Sequence, residues 1–386
     1  MSKSRNVLFL QSSSELYGSG KIIHQVLRIY REEGFTPVVV LTGKGDLAEL
    51  LKADGFIIRI QNLGILRRKY VTISGLINRF KKNKTAYKFL DQLHQEFAFE
   101  LVYSNTLAVF IGAYWASKNR LPHTWHIHEI LHGPKPLIQF LSYLLDRSTK
   151  YPIAVSEAVK NHWKSKLEKS KIEVIHNGIP YESYLQEDLS SKEELGLPVE
   201  KLIVSMIGRI NPGKGQLFFL EMAQAILRTY PHVHFVLVGD PFPGYESIQV
   251  EIQSVISREK LQNSITDLGF RKDIPKVLAA TDIFVLPSIL PDSFPTVILE
   301  AMASGLPVVA TRSGGAEEMV TEGETGFLIP IGDIEEGKLA IQKLIESEAL
   351  RKEMGSNGRK KVLQEYSFEQ FKEKIKNHLW QTISGN

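Results

Sequence analysis

Residues 287–327 read PSILPDSFPTVILEAMASGLPVVATRSGGAEEMVTEGETGF, and the fold is decided here. The apolar run Ile283–Leu286 just ahead has the length and composition of a buried parallel strand. The turn Pro287–Pro295 leads into a helix expected to open near Thr296, and Pro307–Thr311 is the next buried strand. A helix start presents amides without intrahelical partners and a partial positive charge, so it can hold a diphosphate without a metal. Asp292 and Glu300 stand eight positions apart, one on the turn and one about a turn into the helix. Both can face one cleft, where carboxylates could hold sugar hydroxyls. Gly314-Gly315 then lets backbone approach a ligand closely.

Working outward, the same scheme repeats. Strands are expected at Val7–Gln11, Pro37–Leu41, Phe56–Ile60, Leu101–Tyr103, His123–Ile127, Pro152–Val155 and Ile172–Ile175 in the first half. In the second half they are expected at Leu202–Ile207, His234–Val238, Ser264–Leu268, Ile283–Leu286, Val308–Thr311 and Phe327–Ile329. Helical patterns separate them, which implies parallel sheets covered by helices. A chain of 386 residues exceeds the ~250–300 residues that one core supports. The expected division is a first domain over 1–180, a polar linker over 181–201, a second domain over 202–367 and a final helix over 368–386.

Composition is that of a globular protein, with 43% hydrophobic and 23% charged residues. There is no cysteine, which excludes disulfides and thiolate chemistry. The apolar stretch Val7–Leu10 is too short for a signal peptide or a membrane span, so a cytoplasmic protein is the expectation. A net charge of +4 hides an asymmetry: Gly55 to Leu90 carries nine basic residues and no acidic one. Apolar residues interleave with them, so the segment 65–84 is a candidate contact with an anionic membrane surface at the inner face of the cytoplasmic membrane. The competing reading is a helix whose apolar face belongs to the core. No recognised nucleic-acid-binding module accompanies the run, so nucleic acid is not expected as a partner.

Three motifs invite misreading. Gly208-Arg209-Ile210-Asn211-Pro212-Gly213-Lys214-Gly215 nearly spells a phosphate-binding P-loop, but Gly215 stands where a magnesium-binding hydroxyl is required. His128-Glu129-x-x-His132 matches the zinc-protease pattern HExxH, which works only on a helix. Here a strand-like alternation precedes it and Gly133-Pro134 follows. Tyr17-Gly18-Ser19-Gly20, ahead of a helix expected over Lys21–Arg31, lacks the third glycine of a dinucleotide fingerprint.

Taken together, these blocks resemble the retaining family 4 glycosyltransferases (glycosyl transferases group 1). The family pattern E-x7-E, EAMA-G-PVVA and GG-x-x-E is kept as Asp292 and Glu300, Glu300-Ala301-Met302-Ala303, Gly305, Pro307-Val308-Val309-Ala310, and Gly314-Gly315 with Glu318. Asp292 stands where the family usually has Glu. The pattern G-R-x-x-x-x-K-G is complete at Gly208–Gly215, and His128-Glu129 matches a His followed by an acid at the end of a first-domain strand. The resemblance implies an α/β, GT-B architecture: two Rossmann-like domains facing across a cleft, with the last helix crossing back to the first.

It also implies roles. Arg209 and Lys214 would neutralise the diphosphate leaving group, Glu300 would hold the ribose hydroxyls, and Asp292 and His128 would hold the donor sugar, with His126 as the rival histidine. Ser293, Phe294, Pro295 and Thr296 would bond sugar and phosphate through the main chain, Phe270 would lie near the base, and Gly18 would meet phosphate. No metal and no cofactor is expected, and no Asp-x-Asp motif occurs. The implied activity is retaining hexosyl transfer from a UDP-sugar, UDP-glucose favoured, to a saccharide or polyprenol-linked acceptor in polysaccharide or envelope biosynthesis. The alternatives are a GDP-mannose-dependent transferase, a zinc metallohydrolase at His128 and His132, and a sugar-nucleotide binding module without turnover.

Overall fold

The computed structural model describes residues 5–65, 73–131, 133–186 and 192–385, without the side chains of 73, 74, 76 and 77. Within the basic run, Arg67, Arg68 and Lys69 lie outside the described residues, as does His132. The chain divides into two compact units, Met1–Ile179 with Phe368–Asn386, and Pro180–Ser367.

Unit 1 runs β1 (Arg5–Gln11), α1 (Gly18–Glu32), β2 (Phe35–Leu41), α2 (Asp46–Ala53), β3 (Ile57–Ile60), α3 (Ile73–Phe97), β4 (Leu101–Asn105), α4 (Ile111–Asn119), β5 (His123–Ile127), α5 (Lys135–Ser148), β6 (Ile153–Ala154), α6 (Glu157–Lys164) and β7 (Glu173–Val174). Its seven strands, all parallel, stand in the order β3-β2-β1-β4-β5-β6-β7. Burial on both faces explains the apolar runs Val7–Leu10 in β1 and Pro37–Leu41 in β2, whereas β5 buries its polar His123, Thr124 and His126 as well.

Unit 2 opens with two 3-10 turns, Glu182–Tyr184 and Lys192–Leu195. It continues β8 (Leu202–Ile207), α7 (Gln216–Leu227), β9 (Val233–Val238), α8 (Glu246–Arg258), β10 (Ile265–Asp267), α9 (Ile274–Ala279), β11 (Ile283–Leu286), α10 (Thr296–Ala303), β12 (Val308–Thr311), α11 (Ala316–Met319), β13 (Gly326–Ile329), α12 (Ile334–Glu346) and α13 (Glu348–Glu365). Its parallel strands are ordered β10-β9-β8-β11-β12-β13. Phe219, Phe235, Ile283 and Val309 anchor its core.

The last helix, α14 (Phe368–Ser384), packs with unit 1. Phe371, Ile375 and Leu379 are buried, each contributing ~1.5–3 kcal/mol of apolar burial. The indole N–H of Trp380 donates to Glu33 at 2.9 Å, and the Lys376 ammonium sits 3.2 Å from the same carboxylate.

Helix α3 divides the competing readings of the basic segment. Ala86, Leu90 and Leu93 belong to the unit 1 core with Leu8, Val102 and Trp115, so that face is not available to a membrane. Phe80 is 74% exposed, and Lys81, Lys84 and Lys88 are exposed beside it.

Both sheets reverse direction once, between β1 and β4 and between β8 and β11. In sheets of this type, ligands bind outside the carboxyl ends of the strands at that reversal. Gln11 and Asn105 close β1 and β4 at the first reversal, and Gly208 follows β8 directly at the second.

Candidate active site

In unit 2, the loop Gly208–Gly215 leaves β8 at the reversal. It is stitched to the loop after β9: Ile210 N–H donates to Asp240 O at 2.8 Å and Phe242 N–H to Ile210 O at 2.9 Å. Gly239 N–H donates in turn to Gly269 O at 2.8 Å, just before the exposed Phe270. The Arg209 guanidinium lies 4.7 Å from the centroid of the Phe242 ring, a cation–π contact that fixes the orientation of the cation. Asn211 accepts the Gly213 N–H at 2.8 Å, and Gly213 O accepts Ile289 N–H at 2.8 Å, which ties this loop to the turn after β11.

The Lys214 ammonium is bound to the carboxylate of Asp292. Two residues of separate motifs are thus brought together, one-fifth to one-quarter of each side chain remaining accessible. Gly215 makes the approach possible. Its φ is +77°, and a β-carbon there would collide with the carbonyl oxygen of Pro287. The missing P-loop hydroxyl is therefore explained by the close crossing of two loops.

Gly314 and Gly315 differ from expectation in the same way. β-Carbons there would strike the carbonyl oxygens of Asp292 and Ser293, and Gly315 N–H donates to Asp292 O at 2.8 Å. The pair lets backbone approach the Asp292–Ser293 backbone, fixing the turn that carries Asp292.

Helix α10 begins at Thr296, as its pattern predicts, with Pro295 at the cap position and no side-chain cap. Its first amides thus lack the internal partner that Ser, Thr or Asp would supply. The Phe294 side chain turns inward, 5.8 Å from the Tyr366 ring, and Pro295 is buried; Ser293 and Thr296 remain partly open. Glu300 is 3% exposed, which rules out a carboxylate that merely solvates a helix face. Its partner is the buried Tyr184 of the first 3-10 turn, whose hydroxyl is bonded to Glu300 and whose pKa is raised by burial and then by the Glu300 charge.

In unit 1, polar side chains close β1 and β4 at the reversal. Asn105 Nδ2 donates to Gln11 Oε1 at 2.6 Å, so Asn105 Oδ1 faces His128 Nε2 at 2.9 Å as an acceptor. The network places the imidazole proton on Nε2 and makes Nδ1 an acceptor. His128 and its neighbour Glu129 keep an edge open to solvent, but protein surrounds them elsewhere. Loss of hydration holds the His128 pKa at about 3 and pushes the Glu129 carboxyl up to about 7, against the backbone N–H bonds it accepts. His126 is fully buried, its Nδ1 2.8 Å from the Tyr103 hydroxyl, so the accessible ring is that of His128. Residues 128–131 are irregular and α5 starts only at Lys135, so the described part of HExxH lacks the helix that pattern requires. His132 lies outside the described residues.

Gly18 is the first residue of α1 rather than part of a preceding turn. It is exposed, with open space where a β-carbon would stand. Sequence reasoning missed Gln11, Asn105, Tyr184 and Phe242. For the first two a signal existed: a polar residue closing an apolar strand at a sheet reversal.

Comparison with known proteins covers both units. The family model described as Glycosyltransferase Family 4 matches residues 17–183, and that described as Glycosyl transferases group 1 matches 188–361. The UDP-Gal:alpha-D-GlcNAc-diphosphoundecaprenol alpha-1,3-galactosyltransferase of Escherichia coli is 33% identical over 212 residues, 53% of this chain and 53% of its own. Spore coat protein SA of Bacillus subtilis is 26% identical over 54% of this chain and 58% of its own. The chain thus spans about half the length of these curated relatives. Among solved structures, Alr3699/HepE from Anabaena in complex with UDP-glucose superposes with a TM-score of 0.84 at 26% identity, covering 97% of this chain and 99% of that one.

Proposed function

The chain belongs to the group 1, family 4 glycosyltransferases and has their GT-B fold, and from that premise we propose that it transfers a hexose from a UDP-sugar, with retention and without a metal. The observation that carries this reading is the assembly of Arg209, Lys214, Asp292 and the uncapped start of α10 at one sheet reversal of unit 2. Two cations and a helix start without a side-chain cap suit a diphosphate, and a carboxylate beside them suits sugar hydroxyls. UDP is favoured because Alr3699/HepE was solved with UDP-glucose and the E. coli relative is named for a UDP-galactose donor.

In this reading an acceptor hydroxyl attacks the anomeric carbon from the face that the diphosphate leaves. The carbon–oxygen bond to the diphosphate breaks, and the hydroxyl proton passes to a diphosphate oxygen. Arg209, Lys214 and the α10 amides stabilise the charge that develops on that leaving group. Asp292 accepts hydrogen bonds from donor-sugar hydroxyls, and Glu300, held by Tyr184, accepts them from the ribose. His128 is neutral at physiological pH, so it serves as a hydrogen-bond acceptor for the donor sugar and not as a cation. Ser293 to Thr296 contribute main-chain bonds, Phe270 flanks the base and Gly18 meets phosphate.

The acceptor is a saccharide or a lipid-linked saccharide, and α3 brings the protein to an anionic membrane surface through Phe80 and its lysines. No helix among the described residues is long and apolar enough to cross a membrane. Incubation with UDP-glucose, UDP-galactose, UDP-N-acetylglucosamine and GDP-mannose, with release of the nucleotide and the product anomer read out, tests the proposal. Release of UDP with an α-linked product from an α-linked donor supports it. Consumption of GDP-mannose alone, or an inverted product, refutes it.

A further inference from the structure

The Glu129 carboxylate bridges two turns of unit 1. Its Oε2 accepts the Leu107 N–H at 3.2 Å and the His128 N–H at 3.1 Å. Leu107 follows Asn105 on the turn after β4, and His128 opens the turn after β5. The base of the bridge is itself fixed, since the indole N–H of the fully buried Trp163 donates to the Glu129 carbonyl at 3.0 Å.

Between Asn105 and Leu107 lies Thr106 with φ +83°, an unfavourable conformation for a β-branched residue that persists only where its surroundings impose it. Thr106 N–H donates to His126 O at 2.9 Å, and the Leu107–Glu129 bond holds the next residue. A carboxylate placed where ionisation is disfavoured, yet accepting main-chain donors from Leu107, His128 and Ala108 and the side chain of Thr106, fits an organising role.

We infer that Glu129 is a positioning residue: it ties the His128 turn to the Asn105–Leu107 turn and so keeps His128 Nε2 on Asn105, with Nδ1 as the ring's acceptor. The consequence for turnover rests on the proposed transferase function. The consequence for the ring does not.

The bonds from Leu107 and His128, which tie the two turns, run to one oxygen, which supplies a discriminating pair of variants. Glutamine keeps a carbonyl oxygen there and has no acid–base chemistry; methionine fills the space without an acceptor. Wild type, Glu129→Gln and Glu129→Met are compared by donor-consumption kinetics, UDP affinity, thermal unfolding and nitrogen-15 NMR of the His128 ring, assigned with His128→Gln.

Glu129→Gln is expected to keep kcat within about threefold. Glu129→Met is expected to lose roughly thirty- to a hundredfold in kcat, with donor KM and UDP affinity within about twofold, because displacing a contact by about 1 Å costs up to ~10²-fold. The ring is expected as the fixed Nε2–H tautomer in wild type and Glu129→Gln, and as a mixture in Glu129→Met. Glutamine as inactive as methionine overturns positioning in favour of acid–base chemistry; wild-type kcat and tautomer in Glu129→Met overturn it altogether. Should Glu129→Met unfold, Glu129→Asp replaces it, and a shortened carboxylate that matches wild type where glutamine fails again overturns the role. If no variant, wild type included, consumes a nucleotide sugar, the functional reading falls and the ring tautomer still decides this one.

Discussion

The ammonium of Lys214 is bound to the carboxylate of Asp292, a residue 78 positions away on the turn before α10. The cation assigned to the diphosphate is therefore shared with the carboxylate assigned to the sugar. Lys214→Ala is expected to lose about 2–4 kcal/mol of transition-state stabilisation, or ~30- to 10³-fold in kcat/KM, as removal of a preorganised charge stabiliser does elsewhere. Asp292→Asn releases the lysine, so UDP affinity should hold or strengthen while turnover falls; Asp292→Glu should keep substantial activity. Calorimetric UDP affinity measured beside transfer rate decides. Parallel losses of affinity and turnover in Asp292→Asn would place Asp292 with the nucleotide instead.

Glu300 and Tyr184 make a second coupled pair, both buried. If Glu300 accepts hydrogen bonds from the ribose and Tyr184 orients it, Glu300→Gln should weaken UDP by about 1.5–3 kcal/mol, the range for a hydrogen bond to a charged group. Tyr184→Phe should weaken it less. The diagnostic is 2′-deoxy-UDP, whose penalty relative to UDP should shrink in both variants. A penalty unchanged in Glu300→Gln removes the ribose assignment.

Much of this was legible before the structure, for a physical reason. Strands buried on both faces are written as largely apolar runs, so Leu202–Ile207, Ile283–Leu286 and Val308–Thr311 coincide with β8, β11 and β12, and the alternation at His123–Ile127 coincides with β5. The edge of the unit 1 sheet was less legible. β6 and β7 keep two residues each of the four expected, and the ladders that join them to the sheet are two residues long. Gly18-Ser19-Gly20 reads locally as a turn, yet Lys21 N–H donates to Tyr17 O at 2.8 Å and the helix starts three residues early. Tyr184, Phe242 and the loop crossings at Gly215 and Gly314 depend on contacts between distant segments, which no local pattern encodes.

The proposed metal independence rests on the same charges. With Arg209, Lys214 and the α10 amides at the diphosphate, donor consumption should survive excess EDTA within about twofold, an expectation that weighs main-chain and side-chain stabilisation against a metal's Lewis acidity. Complete loss, restored by magnesium or manganese, would sink the assignment.

Membrane contact is tested at Phe80. With its core-facing residues engaged in unit 1, α3 offers outward only Phe80 and neighbouring lysines among its described side chains for this purpose. Binding to vesicles rich in phosphatidylglycerol should exceed binding to phosphatidylcholine vesicles and weaken with salt. Each of Lys81→Gln and Lys84→Gln should cost about 1 kcal/mol, roughly fivefold, and Phe80→Ser should reduce binding further. Equal binding to neutral and anionic vesicles would exclude this surface.

Acid stability separates the two units. Burial lowers the pKa of His123 to about 3, His128 to about 3 and His378 to about 4, and lowers that of His126 as well; all four belong to unit 1. Unit 2 contributes the less enclosed His234, at about 4. Each ring is neutral when folded and gains a proton near pH 6.5 when unfolded, so its contribution is complete above that pH and is lost as pH falls towards the folded value. Glu129 acts oppositely: its folded value of about 7 lies above its ordinary 4.5, so it favours folding as pH falls from 7 towards 4.5. Glu173, whose pKa burial also raises, acts in the same sense as Glu129, but four histidines outweigh two glutamates, the open edge of His128 discounting its share, and unit 1 should weaken between pH 6.5 and 5. All four tryptophans, Trp115, Trp125, Trp163 and Trp380, lie in unit 1, so tryptophan fluorescence in urea reads this unit alone. The expected result is a midpoint that falls with pH over that window, with a shallower slope in His123→Asn by up to ~1.4 kcal/mol per pH unit, the weight of one proton. A midpoint independent of pH between 6.5 and 5 would mean that these rings are hydrated, and protonate, in the folded protein.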